Sequence, residues 1–164
     1  MKARHFFAAV FFLTGTCFHA DAQLQAGGGI SYGTEAEAVG IQPRIVYTIS
    51  EPWRAGADFN YFLDGDEGIS YWDLNLNGHY VFYTSEKLSA YALAGLNFFH
   101  VSVDNNPSIP GFEDVSDTDT GLNLGAGLQL PLGRLSGLLE ARYVLGDADQ
   151  LVISACVMFP LGSK

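Results

Sequence analysis

From Leu24 to Phe159, apolar and polar residues alternate with a period of two, and turn-forming residues break the pattern at intervals. The breaks leave eight runs, each of which predicts a β-strand. The first, Leu24 to Tyr32, sets Leu24, Ala26, Ile30 and Tyr32 against Gln25, Gly27, Gly29 and Ser31. The second, Val39 to Ile49, sets Val39, Ile41, Ile45, Tyr47 and Ile49 against Gln42, Arg44 and Thr48. A third places Trp53, Ala55, Ala57, Phe59 and Tyr61 opposite Arg54, Asp58 and Asn60, and Ser50-Glu51-Pro52 joins it to the second as a hairpin. The fourth is the most regular, with Trp72, Leu74, Leu76, Tyr80 and Phe82 alternating with Tyr71, Asp73, Asn75, Asn77 and His79. The fifth, from about Leu88 to Ser102, is apolar on both parities, so its faces are not assigned. In the sixth, Gly121 to Leu130, Leu122, Leu124, Ala126, Leu128 and Leu130 oppose Gly121, Asn123, Gly125, Gly127 and Gln129. The seventh opposes Leu139, Ala141, Tyr143 and Leu145 to Glu140, Arg142 and Val144. The eighth sets Ile153, Ala155, Val157 and Phe159 against Ser154 and Cys156, and Pro160 ends it.

Alternation alone suits a soluble β-sandwich as well as a barrel in lipid, because each needs one apolar and one polar face per strand. The N-terminus separates the two. Lys2 and Arg4 precede an apolar run from Phe6 to Phe18, and Ala20-Asp21-Ala22 follows it, which is the pattern of a secretory signal peptide cut after Ala22. That run is about 13 residues, whereas a spanning helix needs about 20. Cys17 falls inside the signal with Thr14 three positions before it, which does not match a lipid-attachment site. Cys156 is then alone in the mature chain, so no intramolecular disulfide is expected. With 164 residues, 19 of them Gly, 13% aromatic and only 16% charged, the composition fits one domain of many short strands, residues 23–164.

Two further features place the apolar face against lipid. Tyr32, Tyr47, Trp53, Tyr61, Trp72, Tyr80, Phe82, Tyr91, Tyr143 and Phe159 lie near predicted strand ends, where amphipathic rings favour a membrane interface. Arg44, Asp58, Asp73, Glu140 and Arg142 fall mid-strand on the opposite face, where a barrel lumen can hold them paired with one another and with Asn75, Asn77 and His79. The predicted fold is therefore all-β, a transmembrane antiparallel up-and-down β-barrel of about eight strands. Eight-stranded interiors are just wide enough to be filled by side chains, which argues against an open pore.

The signal, the strand number, the alternation and Phe159 near the C-terminus together resemble the small eight-stranded bacterial outer-membrane barrels, typified by outer-membrane protein X and the membrane domain of outer-membrane protein A. The resemblance implies residence in the bacterial outer membrane with the N-terminus starting in the periplasm. The outer loops would then be Thr34 to Ala38, Leu63 to Ser70, Val103 to Thr120 and Gly146 to Gln150. Members end on an aromatic residue, whereas here Pro160 to Lys164 follow Phe159.

Charge bears on partners. Of 8 basic and 18 acidic residues, the signal removes Lys2, Arg4 and Asp21, leaving 6 against 17, or −11, which speaks against nucleic acid as a partner. The outer loops carry Glu35, Glu37, Asp64, Asp66, Glu67, Asp104, Glu113, Asp114, Asp117, Asp119, Asp147 and Asp149, with no Lys or Arg. Such a rim suits divalent cations shared with lipopolysaccharide phosphates, or simple solvation. Asp117-x-Asp119-x-Gly121 begins like a calcium loop but lacks the third oxygen ligand, the following Gly and the closing Glu. His79 and His100 with one Cys supply no transition-metal ligand set, and the Gly-rich stretches have no phosphate-binding context, so no metal or cofactor is expected.

The functional expectation is a non-enzymatic, monomeric outer-membrane barrel. It would contact outer-membrane lipid and lipopolysaccharide and act structurally or through its acidic loops, with low-conductance passage of small solutes as a secondary role. Two alternatives stand beside it. His100 and Ser102, two apart on one strand, resemble the His-x-Ser pair of outer-membrane lipid A deacylases, with Glu113 as the orienting acid and Val101 and Val103 where polar neighbours are expected. The other is a soluble exported β-barrel that holds an apolar ligand.

Overall fold

The computed structural model describes residues 24–63, 69–103, 115–146 and 149–161. They form eight antiparallel strands: β1 (Leu24–Gly33), β2 (Ala38–Ser50), β3 (Trp53–Phe62), β4 (Ile69–Thr84), β5 (Ser89–Val103), β6 (Val115–Leu132), β7 (Leu135–Leu145) and β8 (Gln150–Pro160). Each strand pairs with its sequence neighbours, and β1 pairs with β8 from Gln25↔Pro160 to Gly33↔Val152. The sheet is thus a closed barrel with no free edge. Both termini and the short connections after β2, β4 and β6 lie at one end, the terminal end. The other four connections lie at the opposite, loop end.

Period-two patterning decides which side each residue takes. Ile30, Ile41, Ile45, Leu76, Leu122, Leu124, Leu139 and Ile153 point outward, each close to half exposed or more, while Gln42, Asn60, Asp73, Asn75, Asn123 and Arg142 point inward and are fully buried. A water-soluble fold of this size would invert that distribution. Outward aromatics form two bands, with Tyr47, Trp53, Tyr80, Phe82 and Phe159 towards the terminal end and Tyr32, Tyr61, Trp72 and Tyr143 towards the loop end. Trp53 and Tyr80 lie directly opposite on β3 and β4 and pack with ring centroids 4.9 Å apart. Tyr91 departs from the girdle expected for it. It faces the lumen and is 1% exposed.

Two boundaries also differ from expectation. β6 begins at Val115 rather than Gly121, so Asp117 and Asp119 sit on a strand opposite Val101 and Phe99 and not in the loop predicted from Val103 to Thr120. Ile69 and Ser70, placed in a loop by sequence, open β4 opposite Val103 and Ser102. The cause is mutual. Val101 and Val103 favour extended backbone, and once β5 runs on, the β-branched Val115, Thr118 and Thr120 pair with it despite the intervening carboxylates. The acidic runs at 64–67, 104–114 and 147 fall outside the described residues, as does the proposed signal peptide.

Candidate functional site

The lumen is filled in three layers. Towards the loop end, Ala36, Ala38, Phe62 and Phe99 form a buried apolar cluster, with Tyr71 and Val101 packed against it. Towards the terminal end, Val46, Tyr91, Leu93, Leu138, Cys156 and Met158 form a second, joined by Val81. A belt of polar and ionised side chains lies between them.

Ion pairs organise the belt. Arg44 and Asp58 are direct cross-strand partners on β2 and β3, with Arg44 Nη2 3.2 Å from Asp58 Oδ1. Arg44 also reaches across the lumen to β7, where Nη1 and Nη2 donate to Glu140 Oε2 and Oε1, both at 2.7 Å. Arg142 Nη1 donates to Asp58 Oδ2 at 2.8 Å and lies 3.5 Å from Glu140 Oε1, while Nη2 is 3.7 Å from Asp73 Oδ1. Two guanidinium groups therefore serve three carboxylates, all essentially sealed from solvent. Charges in such a place persist only when paired and hydrogen-bonded. Amides supply the remaining donors: Gln42 and Asn75 to Asp58 Oδ2 at 2.9 and 3.0 Å, and Asn60 and Asn75 to Asp73 Oδ1. Asn97 and Asn123 extend the chain of amides to Asn75 Oδ1, and Asn123 also donates to Asn77 Oδ1 at 2.9 Å.

Glycine makes room for this packing. Tyr91 on β5, Gly127 on β6 and Glu140 on β7 lie in one cross-strand row, and the Tyr91 hydroxyl passes over Gly127 to donate to Glu140 Oε2 at 2.7 Å. A Cβ at position 127 would come within 2.3 Å of the Tyr91 ring. Gly125 opposes Arg142 in the same manner, and a Cβ there would meet Arg142 Cα at 2.7 Å.

A family described as "Outer membrane protein beta-barrel domain" matches residues 7–149. The chain belongs to this family. Its members' setting, the bacterial outer membrane, is accordingly this chain's setting, and the outward apolar wall is a lipid-facing one. Among solved structures, the N-terminal barrel of Pseudomonas aeruginosa OprF is similar at TM-score 0.67 and 17% identity, covering 85% of this chain and 96% of that one. Ail of Yersinia pestis, solved in complex with the heparin analogue sucrose octasulfate, is similar at TM-score 0.59 and 17% identity, with coverage of 85% and 96%. Neisserial surface protein A is similar at TM-score 0.58 and 21% identity, covering 84% of this chain and 94% of that one. These likenesses speak to the fold alone. No curated protein matches the chain.

Within this family fold, the eight residues singled out by sequence take up two positions. Arg44, Asp58, Asp73, Asn75, Asn77, Glu140 and Arg142 share the belt. His79 is in the lumen but lower, stacked on Tyr91 with centroids 4.7 Å apart, and no hydrogen bond joins it to the carboxylates among the described residues. Sequence reasoning left Gln42, Asn60, Tyr91, Asn97 and Asn123 out of the network. Parity was the available signal for Tyr91, which shares the odd positions of β5 with Asn97. Cys156, expected as a small hydrophobe, also approaches the belt, with Sγ 3.0 Å from Gln42 Oε1.

His100 and Ser102 both lie on the outward wall of β5. The His100 ring stacks on Trp72 at 4.7 Å, and its Nδ1 is 2.7 Å from Thr118 Oγ1. Glu113 is outside the described residues.

Proposed function

We propose that this outer-membrane barrel is a monomeric, non-conducting and non-enzymatic envelope protein that acts structurally and through its acidic loop end. It would be exported with residues 1–22 removed. The carrying observation is the layered lumen. An ion crossing it would have to separate two Arg from three carboxylates and then pass an apolar cluster at either end. Low-conductance passage of small solutes, the secondary role suggested by sequence, is therefore not the favoured reading.

Short connections in such barrels are periplasmic and long ones extracellular, so the loop end would face outward. The connections at that end, with Asp117 and Asp119 at the start of β6, carry acidic residues and no Lys or Arg, a field that repels polyanions. Ail's sulfated ligand is for that reason not carried over. Contact with anionic lipopolysaccharide would instead use shared divalent cations, or surfaces that do not read charge. Deacylation of lipid A is set aside because His100 is engaged by Trp72 and Thr118. Single-channel recording in planar bilayers tests the proposal. A flat baseline is expected over hours of applied voltage, and regular stepwise conductance from the folded protein would contradict it.

A further inference from the structure

The outward wall changes character over three strands only. Proceeding towards the loop end across β4, β5 and β6, the cross-strand rows read Leu76, Leu96, Leu122, then Leu74, Phe98, Thr120, then Trp72, His100, Thr118, and finally Ser70, Ser102, Ser116. All twelve are outward by parity. Elsewhere the outward face stays apolar to the strand ends, as at Leu63, Leu145 and Leu151, all exposed. The hydroxyl and imidazole patch is therefore local, and it exists because β4 to β6 run past their neighbours.

Its height follows from strand geometry. Trp72 is eight residues from Tyr80, which belongs to the lower aromatic band. At about 3.4 Å per residue and a tilt near 40°, the two rings differ by about 21 Å along the membrane normal, close to the roughly 25 Å of a barrel's apolar band. The Trp72 row marks the upper limit of hydrocarbon, and the serine row stands about 5 Å above it, at headgroup level. Since the wall faces lipid and lies at the loop end, read here as extracellular, a ligand at this height comes from the outer leaflet.

We infer that this ledge binds the sugar headgroup of an outer-leaflet glycolipid, which deepens the reading of the chain as an outer-membrane barrel and rests on it. Trp72 packs against both Phe59 and His100, with ring centroids 5.6 and 4.7 Å apart, so a rigid aromatic row floors the ledge on which a sugar would rest. His100 is fixed on one side by Thr118, whose hydroxyl shares the ledge with Ser70, Ser102 and Ser116. Six side chains in a three-by-two array cover about 10 Å by 7 Å, sufficient for a disaccharide. Neutral donors and acceptors suit hydroxyl and amide groups. Phosphate recognition is disfavoured, because no Lys or Arg lies on β4, β5 or β6.

Trp53→Phe leaves Trp72 as the sole tryptophan of the protein, so its emission can be followed as the protein is folded into phosphatidylcholine vesicles of increasing lipid A content. A gel-mobility shift on boiling checks folding of every variant. The emission should saturate at a lower mole fraction of lipid A than of dioleoyl phosphatidylglycerol, and monophosphoryl and diphosphoryl lipid A should behave alike. Ser102→Ala and Thr118→Val should each raise the lipid A midpoint about fivefold, the loss of one hydrogen bond. Equal midpoints for lipid A and phosphatidylglycerol would reduce the ledge to an ordinary interfacial band and overturn the inference while leaving the barrel intact. Loss of the response with monophosphoryl lipid A would overturn it in favour of phosphate recognition. Failure of the folded protein to enter any vesicle would defeat the outer-membrane reading, and the ledge with it.

Discussion

Arg44→Met removes both donors to Glu140, at 2.7 Å each, and the contact to Asp58 Oδ1 at 3.2 Å. Arg142 is then the single cation facing Asp58, Asp73 and Glu140 among the described lumen residues. Breaking a buried pair by deleting one partner costs about 3–5 kcal/mol, because the other charge remains without compensation. Glu140→Leu should cost a similar amount, for it takes both short hydrogen bonds from Arg44, leaving it only the 3.2 Å contact to Asp58, and removes the acceptor of the Tyr91 hydroxyl. The double variant is the informative one. Arg142 keeps Asp58 and Asp73, and Asp58 keeps Gln42 and Asn75, so the principal loss is the Tyr91 hydroxyl's acceptor, about 1–3 kcal/mol. The double should therefore be more stable than either single variant. Urea unfolding of the vesicle-folded barrel, followed by tryptophan emission, measures all three. A double variant as costly as the two singles summed would refute the reasoning. So would a loss below about 1 kcal/mol for Arg44→Met, the range of a solvent-exposed pair.

Gly127→Val should destabilise the barrel by about 1–3 kcal/mol, because even a Cβ would strike the Tyr91 ring, and near-ultraviolet circular dichroism should show Tyr91 displaced. Leu124→Arg should cost about 2–4 kcal/mol by placing charge on the lipid face near mid-strand, measured by the same urea titration. Asn123→Leu, one residue away, should cost about 1–3 kcal/mol for a different reason, the loss of the donor to Asn77 Oδ1 and of one of the two donors to Asn75 Oδ1.

Most of this architecture can be read from periodicity, since a one-residue slip would move every side chain to the wrong medium. Trp72 to Phe82 and Gly121 to Leu130 each reveal their faces because one side meets lipid and the other a polar belt. β5 hides its faces for a physical reason. Its inward Tyr91, Leu93 and Phe99 belong to the two apolar clusters that cap the belt, while its outward Ala92, Ala94, Leu96 and Phe98 meet lipid, so both parities are apolar. The start of β6 was hidden by local chemistry. Asp117, Asp119 and the flanking hydroxyl residues look like a loop until Val101 and Phe99 are seen across from them. Which charges would share a lumen was legible, but their pairing was not, because Arg44 and Glu140 are 96 residues apart and meet only when the barrel closes.

The central claim is that the apolar wall meets lipid while the polar face fills a closed lumen, and neighbouring labels on β6 test it most directly. In a Cys156→Ser background, a fluorophore on Cys at position 124 should be quenched by lipid-dissolved nitroxides, whereas one at position 123 should be spared, because Leu124 is half exposed on the outer wall and Asn123 is fully buried. Equal quenching at both positions, or stronger quenching at 123, would contradict the account.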